Sequence, residues 1–117
     1  MTEIPDWVTN YPYEMDKAAL INLAQTSEGS LDKPREMNFS LYDFAAKADA
    51  AAAAEEVQQA GWHCQIAHQQ DDPSRWEITA QKQNYRLDQA QYEADTAFFS
   101  QVAFAHHGQY DGWFAGS

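Results

Sequence analysis

Period-two alternation constrains this chain most, because a strand sends successive side chains to opposite faces whereas a helix repeats every ~3.6 residues. In "REMNFSLYDF" (35–44), Met37, Phe39 and Leu41 alternate with Asn38, Ser40 and Tyr42. In "WHCQIAH" (62–68), Trp62, Cys64 and Ile66 alternate with His63, Gln65 and Ala67, and in "RWEITAQ" (75–81) Trp76, Ile78 and Ala80 recur. Each run predicts a half-buried strand. The turn "QQDDPS" between the last two is short, so these two strands form an antiparallel hairpin.

Helical patterns fill the spaces between. Residues 47–60 are alanine-rich, with Ala50, Ala53, Val57 and Ala60 as one narrow apolar stripe and Gly61 at the C′ position. Asp88 is a candidate N-cap for a helix running to about His107, with Leu87 placed to pack on Tyr92 as a hydrophobic staple. Its expected apolar face is Ala90, Ala94, Ala97, Phe98, Val102 and Ala105, and Gly108 ends it. A further helix is expected over 14–26, from Met15, Ala18, Ala19, Leu20, Ile21 and Leu23. Residues 1–13, punctuated by Pro5 and Pro12, read as an irregular arm, and "EGSLDKP" (28–34) as a connection.

Only the tail "GQYDGWFAGS" (108–117) is left, and the strand count gives it a role. A helix followed by β-α-β-β-α-β, with right-handed crossovers, makes a four-stranded antiparallel sheet with both later helices on one face. The expected fold class is therefore α+β, a ferredoxin-like βαββαβ sandwich with an extra N-terminal helix. Its last strand pairs beside the first. Residues 109–115 supply that strand, with Gly112 as a bulge or a point of close approach.

Eighteen acids against seven bases give a formal charge of −11, which disfavours nucleic-acid phosphates and favours basic partners. A lone cysteine, Cys64, allows no intrachain disulfide and suits a reducing compartment. The opening MTEIPDWVTN lacks a basic and apolar leader, and no apolar run approaches the roughly 18 residues of a membrane helix.

Catalytic and metal chemistries find little support. His63 and Cys64 face opposite sides of a strand, while Cys64 and His68 share a face but lie roughly 13 Å apart. His106 and His107 suit the negative end of a helix dipole. Neither a Ser-His-Asp set nor a glycine-rich phosphate loop is visible. The loop after the first strand, Phe44-Ala45-Ala46-Lys47, has no arginine of the kind acylphosphatases of this fold use. The expectation is a non-enzymatic protein without metal or cofactor.

Four residues stand out as candidates for partner binding: Tyr42, Tyr110, Asp111 and Trp113. Tyr42 and, register permitting, Trp113 are candidates for the sheet face without helices, where RNA-binding modules stack bases. The competing expectation is that the N-terminal helix covers part of that face. For Tyr110, Asp111 and Trp113 one reading is a docking surface. The other makes Trp113 core and lets Asp111 fix the bulge at Gly112 by a local hydrogen bond.

The helix at 14–26, the Gly-Ser link with Pro34-Arg35, the strand MNFSLYDF, the alanine-rich helix ending in Gly61-Trp62, the tryptophan-bearing strand and "HHGQYDGW" together resemble the RraB family of ribonuclease E regulators, over roughly residues 14–113. The most specific element is Gly108 through Trp113. The resemblance implies a small cytoplasmic protein of gram-negative bacteria that docks on the basic noncatalytic part of ribonuclease E and slows RNA decay. It also implies a single RraB-like domain over 14–117. The family's namesake carries a strongly acidic C-terminal tail, and this sequence shows none before Ser117. If that tail captures the target, weaker binding or a different partner is expected. The alternative function on the same fold is a small-ligand-binding or sensing domain, with a groove between the sheet and the N-terminal helix.

Overall fold

Each secondary-structure element in the computed structural model traces to a local rule of the sequence. The structure describes residues 4–26 and 33–115, so the connection expected at 28–34 lies largely outside the described residues. A one-turn helix α1 (Asp6–Thr9) falls inside the stretch read as an irregular arm, and α2 (Glu14–Thr26) follows. Then come β1 (Arg35–Phe44), α3 (Lys47–Gln59), β2 (His63–His68), β3 (Trp76–Tyr85), α4 (Gln89–Ala105) and β4 (Gln109–Ala115).

The sheet order is β2-β3-β1-β4, antiparallel throughout, as a ferredoxin-like α+β fold requires. β4 does lie beside β1, with Phe39 opposite Trp113 and Ser40 opposite Gly112. The register then slips so that Leu41 faces Tyr110, which leaves Asp111 as the extra residue of a β-bulge. Gly112 sits at φ +103, and a Cβ there would meet nothing within 4 Å. The glycine is needed for its backbone angle, and close approach plays no part.

Both long helices end in the same double hydrogen bond, the Schellman arrangement. At the end of α3, Gly61 N–H donates to Gln58 and Trp62 N–H to Val57. At the end of α4, His107 N–H donates to Phe104 and Gly108 N–H to Ala103. The left-handed residue is Gly61 in the first (φ +101) but His107 in the second (φ +66). Gly108 is required for a different reason than helix termination: a Cβ there would come within 2.5 Å of the Phe44 ring. The N-terminus of α4 is capped as expected, with Asp88 Oδ1 accepting from the Gln91 N–H at 2.9 Å. Leu87 and Tyr92 are both buried there.

The core lies between the sheet and the helices. Met37, Phe39, Leu41, Ile78 and Ala80 point into it from the central strands. Phe39 stacks on Phe99 at 4.5 Å, and the Trp62 ring meets both edge-on. A bulge with Asp43 at φ +69 turns Phe44 into the same core. α3 contributes Ala50, Ala53, Ala54 and Val57, while Ala60, expected on the stripe, is exposed at the cap. The buried face of α4 is Tyr92, Phe99, Val102 and Ala103, whereas Ala90, Ala94, Ala97 and Ala105 are exposed. Its inward face is thus set mainly by bulk, and those four alanines turn outward.

Candidate functional site

The four singled-out residues do not form one surface. Tyr42 lies on the sheet face without helices, its hydroxyl donating to Gln109 Oε1 at 3.4 Å. Trp113 does not join it there. Its register opposite Phe39 turns it to the helical side, where its indole Nε1–H donates to Tyr92 Oη at 2.8 Å. Tyr110 also faces inward, opposite Leu41 and near the Phe39 ring. Asp111 is exposed at the bulge, and its side chain makes no hydrogen bond among the described residues, so the bulge rests on Gly112 instead.

The N-terminal segment does not cover the open sheet face; its ring contacts and carboxylate lie on the helical side. Trp7 and Tyr11 set their rings against Tyr92 at 6.0 and 5.6 Å, and Trp113 packs edge-on to it at 5.8 Å. The Asp16 carboxylate lies near the Tyr92 hydroxyl, which holds its pKa down against the effect of burial. Tyr92 on α4 therefore takes the hydrogen bond of Trp113 on β4 and faces Asp16 on α2. The open face is instead a carpet of neutral side chains around Glu36. This carboxylate accepts from Gln81 at 2.6 Å, Gln83 at 3.1 Å and Asn38 at 3.4 Å. A shallow depression of about 260 Å³ lies there, edged by His63, Gln65 and Phe114.

A larger groove of about 510 Å³ opens between the N-terminal arm and α4. The sequence reading put a groove between the sheet and the N-terminal helix, but its floor here is α4 and Tyr110. The arm contributes Tyr11 and Tyr13, α2 contributes Asp16, and α4 contributes Glu93 and Thr96. Burial and the Asp16 and Glu93 carboxylates push the Tyr11 phenol up, while its hydrogen bond to Thr96 opposes them. Burial, then Asp16, also raises Tyr110 and Tyr92 well above the ordinary phenol range. The Tyr110 hydroxyl is buried with no hydrogen-bond partner among the described residues. Burial raises Asp16 itself, against the lowering effect of the Tyr92 hydroxyl. Of the residues forming this groove, the sequence singled out only Tyr110. Tyr11 and Tyr13 were visible as aromatics between prolines, but nothing local ties them to Glu93.

Elsewhere the titratable groups have structural roles. Cys64 faces the core, half-buried, and burial pushes its thiol up to about 11, which makes it a poor nucleophile. His106 Nε2 meets Glu56 Oε2 at 2.7 Å and ties the end of α4 to α3. Lys47 lies over the Trp76 ring, beside the loop where an acylphosphatase would place its arginine. Among the described residues, no three His, Cys, Asp or Glu side chains are grouped to hold a metal, and no helix is long and apolar enough to cross a membrane.

No curated protein matches the chain at a significant level. The family model for regulator of ribonuclease activity B, RraB, matches residues 14–114, which spans α2 through all but the last residue of β4. With the ferredoxin-like sheet and a match over nearly its whole length, this chain belongs to the RraB family of ribonuclease-activity regulators.

Proposed function

We propose that this protein regulates RNA decay by binding rather than by catalysis: it captures a basic protein segment, the noncatalytic region of ribonuclease E, and thereby slows the enzyme. Membership in a family of ribonuclease regulators carries the reading. A formal charge of −11 on 117 residues supports a basic target and opposes direct contact with RNA. The protein acts in the cytoplasm, where ribonuclease E substrates are.

Tyr110, Asp111, Trp113 and Tyr42 enter this reading unequally. Asp111 is the exposed charge of the four and contributes directly to a docking surface, while Tyr110 contributes through the groove. Trp113 supports the groove from behind through Tyr92. Tyr42 belongs to the opposite face.

The test is a pulldown against the arginine-rich region of ribonuclease E at low and high salt, paired with a ribonuclease E cleavage assay. Binding at low salt that weakens as the Debye length falls from about 10 Å at 0.1 M to about 3 Å at 1 M, with slower cleavage, supports the reading. Absence of binding at low salt would falsify the named partner.

A further inference from the structure

The groove between the arm and α4 combines ring faces with carboxylates, and that combination narrows its ligand to a cation with a flat, weakly hydrated head. Tyr11, Tyr13 and Tyr110 supply ring surface, and Asp16 and Glu93 supply negative charge. The buried Tyr110 hydroxyl has no hydrogen-bond partner among the described residues. We propose that this groove holds an arginine side chain of the basic segment, its guanidinium stacked on tyrosine and hydrogen-bonded to Asp16, Glu93 and the Tyr110 hydroxyl. The proposal rests on the binding reading above and deepens it by naming the recognised group.

Several observations converge on this occupant. Burial raises the Asp16 carboxyl and the Tyr92 hydroxyl lowers it. The pairs Arg75–Asp72 and His106–Glu56 lie elsewhere. A partly buried carboxylate is stabilised by a counter-charge, and an arriving guanidinium supplies one. The phenol oxygen of Tyr110 accepts from a guanidinium N–H, which an apolar ligand could not offer.

Arginine is preferred over lysine on the same grounds. A guanidinium is planar, stacks on aromatic faces and presents five donors in a fork that engages carboxylates, whereas an ammonium is compact and strongly hydrated. The volume of about 510 Å³ leaves room for the side chain and part of the backbone that carries it. The protein already sets Lys82 over the Trp62 ring at 5.0 Å, so cation-on-aromatic packing recurs in this fold.

The test titrates an arginine-rich peptide, and a lysine peptide of equal length and charge, into the full chain by calorimetry at low salt. Glu93→Gln is compared with Glu55→Gln, which removes the same charge from the exposed side of α3. The arginine peptide should bind more tightly than the lysine peptide. Glu93→Gln should weaken it about tenfold, the loss of one charge-assisted contact, and erase the arginine preference. Glu55→Gln should shift it by less than about twofold, as for a rim charge acting through the field alone. As a second readout, millimolar N-acetyl-arginine amide should shift the Tyr110 and Asp16 amide resonances of the wild type.

Equal affinity for the two peptides, or equal losses for the two variants, overturns the groove and leaves diffuse electrostatic capture standing. If neither peptide binds but the arginine amide shifts those resonances, the groove stands and the basic-segment reading fails. If nothing binds and nothing shifts, both fail.

Discussion

The indole N–H of Trp113 donates to the hydroxyl of Tyr92 at 2.8 Å, joining the last strand to the last helix. The tail's tryptophan is thus half-buried, packed against the core and hydrogen-bonded. Trp113→Ala should cost about 2–4 kcal/mol, somewhat below the loss for a wholly buried aromatic. Trp113→Phe keeps the ring and deletes the donor, so it should cost about 1 kcal/mol. A double-mutant cycle with Tyr92→Phe, read by urea denaturation, should show coupling between the two; additivity would mean the bond contributes nothing.

Gly108 and Gly112 should respond differently to alanine. At Gly108 the new Cβ runs into the Phe44 ring, so Gly108→Ala should destabilise by about 1–3 kcal/mol through overpacking. Phe44→Leu in the same chain should recover part of that loss. At Gly112 the space is open and the penalty is the backbone angle, of order 1–3 kcal/mol. No change of neighbouring side chain should relieve it. Thermal melts of the single and double variants separate the two.

Asp16 should cost the free protein stability at neutral pH. Burial raises its folded pKa, so the protonated form is favoured in the fold. The stability linked to this group is fully present below the ordinary carboxyl value of 3.8 and is lost as pH rises through the folded value. Asp16→Asn retains an acceptor for Tyr92 and removes the charge. It should raise the melting temperature at pH 7 and leave it nearly unchanged near pH 3; a drop at pH 7 would show that the carboxylate stabilises the fold.

Alkali should unfold the protein early. Tyr85, Tyr92 and Tyr110 all have phenols raised above 10.0, chiefly by burial. Above pH 10 the unfolded chain releases protons that the fold retains, so stability falls as pH climbs. Cys64 adds to this between its ordinary 9.0 and its folded value of about 11. Urea midpoints at pH 8, 10 and 11 should fall monotonically, and Cys64→Ala should flatten the first part of that fall.

The cap of α4 offers a local check. Asp88→Ala removes the acceptor for the Gln91 N–H and should cost about 1 kcal/mol by chemical denaturation, with Asp88→Asn costing much less.

What was legible in the sequence follows from which interactions are local. β1 at 35–44, α2 at 14–26 and β4 at 109–115 were readable because period, capping and chain order lie within a few residues. β3 runs on to Tyr85, beyond the expected end at Gln81, because Asn84 at φ +58 lets the strand continue past a break in register between Arg35 and Met37. The polar run Lys82-Gln83-Asn84 concealed this. The face of α4 was misphased because alanine favours a helix wherever it points, while Tyr92 and Phe99 decide which side is buried. The groove was illegible for a stronger reason: Asp16 meets Tyr92 and Tyr110 only through the tertiary fold.

That groove is a joint. One wall is carried by the arm and α2 and the other by α4 and Tyr110 of β4, and among the described residues no backbone hydrogen bond crosses between them. Anything that fills the joint clasps the arm, and anything that holds the arm in place readies the joint, by the same factor in both directions. Val8 and Tyr11 already anchor that arm in the core, so cargo in the groove would add to a packing that the free chain has begun. Amide exchange over residues 6–16 should slow when cargo binds and should report occupancy from a distance.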